Sequence, residues 1–345
     1  MAAENEDCVI SAFPELPRPA ASQSGKVDDF QVQLRRHPSA ARQRGSTSPP
    51  STAASRLPPQ TPRTPMRRVL EHLHRTMRIP MPADAPWRAT FLSHVQQMDS
   101  PTFVLSTLHA SDPSSASAPR FVPRARTVVF RGMWASLPVN PKNPAPLNPD
   151  TYQTHLPTIT TDARMDKAPE LLETASAPDG PQSGGGGPVE GVFWAAEAKT
   201  QWRLRGRAYV IGPDIDSPVA APVRAALAPY MRRRTGAAAG AGGSWSWSRE
   251  LTAHFGNLRP LMRGTFRNPP PGTPLSQRPG QGLGLGQTVD DVEDEVSRRN
   301  FRVVVMVPEE VDRVDLSDPE RGRRWNYTFV GTDNEGEWTV AELWP

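Results

Sequence analysis

The chain has 345 residues with a formal net charge of +4; 37% are hydrophobic, 40 are proline and 25 are glycine. For this length, the low hydrophobic fraction indicates a folded part joined to a part that cannot form a core. The single cysteine, Cys8, excludes an internal disulfide framework and a cysteine metal site, and no apolar run reaches the roughly 20 residues that span a bilayer.

The first 65 residues are rich in Ser, Pro, Ala, Gln and Arg and lack clusters of aromatic or β-branched residues. Such a segment cannot offset the entropy of ordering, so we predict a disordered tail over 1–65. It has no apolar signal core, which favours a cytoplasmic location, and its basic character leaves a nuclear location open. Ten Arg and one acid, Glu71, lie in 31–80. Because no aromatic side chain is interleaved with these arginines, a solvated segment is favoured over a nucleic-acid-binding one.

The predicted folded domain, residues 66–345, begins with two helical patterns. Apolar residues recur at helical spacing in 66–79, which ends before Pro80. The second pattern covers 86–98, and its apolar stripe consists of Phe91, Leu92, Val95 and Met98.

Short β-rich runs follow, which is typical of a barrel or sandwich with few helices. They cover 102–108, 125–134, 156–162, two strands about a turn in 191–212, and four closing strands at 301–308, 311–316, 326–331 and 338–343, the last two joined by a hairpin turn over 333–336. A further helical pattern covers 246–266. We predict low-complexity insertions at about 138–157, 176–188, 235–244 and 273–288.

Four polar patterns occur in order along these runs, and each alone is typical of solvated strand ends or caps. They are Arg126 with Arg131; Thr160, Thr161 and Asp162 with Lys167; Trp194 with Gln201 and Gly206; and Arg323, Arg324 and Trp325 with the segment 338–345. Alternation along a strand predicts that Arg126 and Arg131 point to opposite faces.

Taken in this order, the patterns resemble the pyridoxamine 5′-phosphate oxidase-like FMN-binding family over about residues 86–345. The likeness is greatest to the branch with a "W…R..F..PPPG" segment, here Trp247, Arg263, Phe266 and 269–272. The resemblance implies a mainly β (α+β) protein with flanking helices, built as an FMN-binding split β-barrel. It also implies a homodimer that holds the flavin between its subunits.

The resemblance assigns the FMN contacts residue by residue. They are Arg126, Thr127, Val128, Arg131, Thr161, Lys167, Gln201 and Arg324, with Arg323 as the alternative to Arg324. Arg131 replaces the family's lysine, and Met165 and Asp166 replace its Ser and Arg, so phosphate binding would rely on Arg126 or Arg164. Fixed Arg and Lys donors with a Thr hydroxyl suit a phosphate dianion. The Gln201 amide can both donate and accept at the edge of the flavin ring.

Residues for the substrate are less well matched. Tyr230 and Arg234 have the family's Tyr-x-x-x-Arg spacing, but Ala238 stands where its serine would be, so a chance match is favoured over a retained site. We therefore expect an FMN-dependent oxidoreductase that acts on a substrate other than pyridoxamine 5′-phosphate. The alternative is a non-catalytic flavin-binding or interaction module. We expect no metal site, no membrane association and no nucleic-acid partner.

Two further patterns are interpreted as structural features without a binding role. The glycine-rich run at 280–287 follows no predicted strand and is interpreted as a loop instead of a phosphate-binding turn. The acidic run at 290–295 is interpreted as the solvated start of a helix instead of a cation site.

Overall fold

The computed structural model describes residues 85–111, 121–172, 181–234, 244–331 and 336–345. The predicted tail over 1–65, the predicted helix over 66–79 and most of the predicted insertion at 235–244 lie outside the described residues.

The described part of the chain is built mainly from strands. These are β1 (Thr102–Ala110), β2 (Phe121–Val129), β3 (Tyr152–Gln153), β4 (Thr158–Asp162), β5 (Gly184–Ala195), β6 (Thr200–Ile211), β7 (Arg232–Arg233), β8 (Phe301–Asp315), β9 (Arg323–Val330) and β10 (Glu337–Leu343). The helices are α1 (Arg88–Gln96), α2 (Lys167–Leu172), α3 (Ala221–Leu227), α4 (Trp247–Gly256), α5 (Pro260–Gly264) and α6 (Glu295–Asn300). The mainly β class with flanking helices is therefore confirmed.

Eight strands form one antiparallel sheet in the order β10-β9-β8-β6-β5-β1-β2, with β4 also paired to β8, while β3 and β7 form a small separate pair. The chain just after β2 meets β4 through two backbone hydrogen bonds. Arg131 N donates to Thr158 O at 2.8 Å, and Thr158 N donates to Gly132 O at 2.9 Å. This short contact joins the end of β2, the last strand in the order, to β4, which is paired with β8, and this agrees with the predicted split barrel.

Two apolar clusters lie on the two faces of β8. Val304 and Met306 contribute to one of them, and Val303, Val305 and Val307 contribute to the other. A strand that is buried on both faces needs an unbroken apolar run, which explains the sequence of 301–307. The predicted stripe of α1 is also confirmed, because all four of its residues pack into the first cluster.

The prediction of two separate strands at 301–308 and 311–316 is wrong, because β8 is continuous from Phe301 to Asp315. Pro308 does not end the strand, since the pairing with β6 shifts register at this point, opposite Gly206. A Cβ atom on Gly206 would lie 2.0 Å from Val307 O, so only glycine allows the two backbones to approach this closely.

The predicted insertion at 176–188 is wrong for its last residues, because β5 begins at Gly184. Gly185 and Gly186 have φ of +114° and +112°, and the pairing with β6 shifts register next to them. A Cβ atom on Gly185 would lie 2.8 Å from Ala208 O. The glycines therefore form a bulge within a strand, not a loop.

The interpretations of the acidic run as a helix start and of the glycine-rich run as a loop agree with the structure. The acidic run at 290–295 leads into α6, where the Asp294 carboxylate accepts a hydrogen bond from Ser297 N at 2.9 Å. The run at 280–287 consists of turns and leads into no helix.

Candidate functional site

A cavity of about 560 Å³ lies where the ends of β2 and β4 meet the segment that follows α4. This volume is in the range of small-molecule sites, about 300–1,000 Å³. Its polar side contains Thr127, Arg131, Thr160, Thr161, Asp162, Arg164 and Lys167. Of the predicted FMN contacts, the structure therefore brings five to one cavity: Thr127, Val128, Arg131, Thr161 and Lys167.

Lys167 is the first residue of α2, and it is only 8% exposed. Its Nζ donates to Thr161 Oγ1 at 3.0 Å and lies 3.0 Å from Met165 Sδ. Burial, and then the nearby Arg126 charge, lower the pKa of Lys167 below its ordinary value. Within the described ranges it has no carboxylate partner. The charges of Asp162, Glu170 and Asp166 act on the pKa of Lys167 in the opposite direction, without a direct ion pair among the described residues. A buried ammonium whose hydrogen-bond partners are neutral is costly, so this position favours an anion in the cavity.

Arg131 is the second cation of the cavity. Sequence analysis predicted it inside a strand, but β2 ends at Val129, and Arg131 follows in the segment that contacts β4. Its Nε donates to Thr160 Oγ1 at 3.3 Å. Burial lowers the pKa of Arg131, although a guanidinium remains charged at neutral pH. No carboxylate pairs with it in the part of the chain that the structure describes.

The third cation, Arg164, is already neutralised. Its Nε donates to Asp162 Oδ1 at 2.9 Å, and its Nη2 donates to Asp162 Oδ2 at 2.6 Å. Its Nη1 donates to the Asn268 carbonyl at 3.0 Å, which ties the end of β4 to the opposite wall. Arg164 therefore joins the end of β4 to the segment after α5, and Asp162 balances its charge.

Arg126 lies next to the cavity without lining it. Its Nη2 donates to Glu170 Oε2 at 2.9 Å, and its Nη1 donates to Thr107 Oγ1. Glu170, on α2, is 4% exposed and also accepts from Thr107 Oγ1 at 2.5 Å. Sequence analysis missed Glu170, and the one signal for it was an acid three residues after Lys167 in a helix.

Gln201 and Arg324 lie far from this cavity. Both pair with Val314 near the end of β8, from its two neighbouring strands, whereas Thr161 pairs with Arg302 near the start of β8. The Arg324 Nε donates to Asp312 Oδ2 at 2.8 Å. One copy of the chain therefore does not bring these two residues to the other five.

The structure does not bring Tyr230 and Arg234 to the cavity. The Tyr230 side chain is buried, with its ring 5.7 Å from the His155 ring. Arg234 Nε lies 2.9 Å from Asp150 Oδ1. Neither residue lines the cavity of its own chain, so the structure gives their assignment to a substrate site no support, and the chance match remains the favoured interpretation.

The segment of the "W…R..F..PPPG" resemblance supplies the apolar wall. Phe266 and Pro269 to Pro271 line the cavity directly. Arg263 does not reach it: its guanidinium donates to the carbonyls of Val289, Gly256 and Leu258 at 2.7, 3.1 and 3.1 Å. This arginine joins α5 to the end of α4 and to the segment at Val289, and in this way it supports the apolar wall.

Residues 84–212 match the family model described as "Pyridoxamine 5'-phosphate oxidase, FMN-binding domain". The resemblance found in the sequence is therefore confirmed for this region. The region carries Arg126, Arg131, Thr161, Lys167 and Gln201 but neither Arg324 nor the apolar wall. The uncharacterized protein YGR017W of Saccharomyces cerevisiae is 26% identical over 100 residues, which span 29% of this chain and 34% of that protein.

Two solved structures resemble the chain at low identity. An FMN binding protein related to pyridoxamine 5'-phosphate oxidase from Nostoc punctiforme is 19% identical, with a TM-score of 0.45, over 76% of this chain and 100% of its own. PhzG of Burkholderia lata, solved with tetrahydrophenazine-1-carboxylic acid, is 14% identical, with a TM-score of 0.33, over 74% of this chain and 90% of its own. None of the helices in the described ranges is long and apolar enough to cross a membrane.

Proposed function

We propose that this chain binds FMN in the 560 Å³ cavity and acts as an FMN-dependent oxidoreductase. The observation that carries the proposal is a pair of cations at the cavity, the buried Lys167 and the half-buried Arg131. Both face the cavity beside a threonine hydroxyl, and neither has a carboxylate partner among the described residues. A flavin phosphate is a dianion, and it supplies the charge that these two groups lack.

The donor set suits each part of the cofactor. Lys167 and the Thr161 hydroxyl would hold the phosphate, and Thr127 and Val128 would lie along the flavin. Arg126 would act on the phosphate through its charge, because Glu170 already occupies one of its donor groups. Bound FMN would supply the redox chemistry, and the residues of the chain would bind the cofactor, orient it and exclude water.

We further propose that the protein is a homodimer in which Gln201 and Arg324 contact the flavin held by the partner subunit. The separation of these two residues from the cavity of their own chain supports this assignment. Trp194 lies opposite Gln201, and Leu343 lies opposite Arg324, in one row across the sheet. The side chains of Trp194 and Leu343 are exposed. A second copy would cover them.

The substrate is proposed to be something other than pyridoxamine 5′-phosphate, because Tyr230 and Arg234 do not reach the cavity. The alternative is a flavin-binding module without turnover, which the departures at Met165 and Asp166 favour. Oxygen consumption and flavin reduction by NADPH in the FMN-loaded protein distinguish the two.

The proposal also includes a cytoplasmic or nuclear location and a tail over 1–65 that is separate from the domain.

Equilibrium dialysis of the purified full chain against FMN tests the proposal. We expect binding of about one FMN per chain, with a dimer at the same concentration by light scattering. Absence of saturable FMN binding would contradict the proposal, whatever the enzyme assays show.

A further inference from the structure

The cavity has one polar side and one apolar side, and the two come from different parts of the chain. The polar side lies on β2, β4 and the start of α2, inside the region that matches the FMN-binding domain. The apolar side comes from 258–285, outside that region. It consists of Leu258, Met262, Phe266, Pro270, Leu275 and Leu285, with further prolines between them.

The charges of the cavity are sufficient for one dianion. Of its three cations, Arg164 is paired with Asp162, and only Arg131 and Lys167 are without a carboxylate. A flavin phosphate would use the charge of these two. Among the described residues of its own chain, the cavity offers a second phosphorylated ligand no further unpaired cation. Arg324, which the proposed dimer would bring from the partner subunit, is already paired with Asp312 at 2.8 Å. Such a ligand would lose its hydration without compensation.

The apolar side combines buried residues, Leu258 and Phe266, with residues that are largely exposed. Leu275 is fully exposed and Leu285 is 77% exposed, and both stand at the cavity. Three consecutive prolines of the wall have no N–H to donate. The side-chain donors of this wall are Thr265, Asn268 and Thr273, and the Thr265 hydroxyl already donates to the Met262 carbonyl at 2.7 Å. Exposed apolar side chains around a concave site mark a surface that a ligand covers.

We infer that the second ligand of this cavity is an uncharged, flat, apolar molecule of the aromatic or quinone class. This inference rests on the proposed FMN site, since it assigns Arg131 and Lys167 to the flavin phosphate. It goes beyond that proposal because it concerns the ligand that contacts the apolar wall formed by 258–285.

A matched pair of neighbours in α5 allows a clean test. Met262 lines the cavity and is 44% exposed, whereas Leu261 is 50% exposed and does not line it. Lysine at either position is open to solvent and compatible with folding. The probe is 2,3-dimethyl-1,4-naphthoquinone, whose substituted ring carbons do not add thiols or amines.

FMN content of each full-length variant is measured first, and calorimetric titrations of the FMN-loaded proteins follow. We expect Met262→Lys to weaken the quinone about tenfold or more and Leu261→Lys to leave it unchanged. Pyridoxamine 5′-phosphate should bind the unmodified protein more weakly than the quinone and gain affinity in Met262→Lys.

Equal effects of the two lysines on quinone binding, no quinone binding, or tighter binding of pyridoxamine 5′-phosphate than of the quinone would overturn the inference. Each of these results, obtained on protein that carries FMN, leaves the proposed cofactor site intact. Failure to load FMN would instead contradict the proposed function.

Discussion

The Glu170 carboxylate accepts a hydrogen bond from Arg126 Nη2 at 2.9 Å, so a cation that the sequence assigns to phosphate is held by a buried acid. Glu170 lies on α2, one turn after Lys167, and its charge therefore also acts on the neighbouring ammonium. The phosphate-binding charge of the cavity is thus reduced by an acid from the same helix that supplies its lysine.

We predict that Glu170→Gln tightens FMN several-fold, because a negative charge near the phosphate is lost and Arg126 is released. The fold should lose roughly 1–3 kcal/mol of stability, since the buried network loses its charged acceptor. Riboflavin, which has no phosphate, should bind as before. Flavin fluorescence titrations measure both affinities, with Glu190→Gln, on β5 and near Arg205 instead of Arg126, as the control. Weaker FMN binding in a folded Glu170→Gln protein would contradict the prediction.

Arg263 should act as a structural residue. Replacing it by Met leaves the carbonyls of Val289, Gly256 and Leu258 without their donor, so we predict a loss of roughly 2–4 kcal/mol in the free energy of unfolding. Urea denaturation followed by tryptophan fluorescence measures this loss. Arg259→Met, four residues earlier and exposed, should change stability little. Similar effects of the two substitutions would show that Arg263 does not support the wall.

His254 should make the fold sensitive to acid. It is fully buried with its ring stacked on Trp134, and burial lowers its pKa to about 3. Between the ordinary pKa of 6.5 and about 3, the unfolded chain takes up a proton that the folded chain does not. Stability should therefore fall as pH drops through this window, by up to about 1.4 kcal/mol per pH unit.

The variant His254→Phe keeps a flat ring and removes this titration. Its free energy of unfolding should improve relative to that of the unmodified protein as pH falls from 6.5 to 4. If the acid dependence of His254→Phe coincides with that of the unmodified protein, His254 does not carry the effect.

The tail should be dispensable. A chain that begins at Met66 should keep its thermal stability and its FMN affinity, because residues 1–65 lack a core-forming pattern. A chain that begins at Gln97 should fail to fold, since it lacks the buried Trp87 and Phe91. Loss of FMN or aggregation of the chain that begins at Met66 would contradict the first expectation.

Much of the fold could be predicted from local patterns. The stripe of α1, the hairpin strands β9 and β10 and the apolar run of β8 follow from periodicity, which reports burial directly. The continuity of β8 past Pro308 and the start of β5 at Gly184 could not be predicted. Both depend on bulges, and a bulge is set by the partner strand rather than by the residues that form it.

The site could also be predicted only in part, because some of its contacts join segments that are distant in the sequence. Residues within one strand or turn, such as Thr127 with Arg131 and Thr161 with Lys167, share a side of the cavity because short-range geometry brings them together. The two groups meet through the backbone contact between Arg131 and Thr158. The Glu170 pairing and the wall at 266–271 depend on contacts between distant segments, which neither spacing nor composition shows. Tyr230 and Arg234 show that a matching spacing along the sequence does not determine where the side chains point.

The most direct test of the phosphate site compares FMN and riboflavin binding in Lys167→Met, with the exposed Lys142→Met as the control. We predict that Lys167→Met weakens FMN by about 1.5–3 kcal/mol, roughly 10- to 150-fold, with riboflavin unchanged. In the unmodified protein, FMN affinity should also fall at alkaline pH, because the lowered pKa of Lys167 removes its charge earlier than in an ordinary lysine. Equal weakening of FMN and riboflavin, or no weakening of either, would contradict the assignment of this cavity to the flavin phosphate.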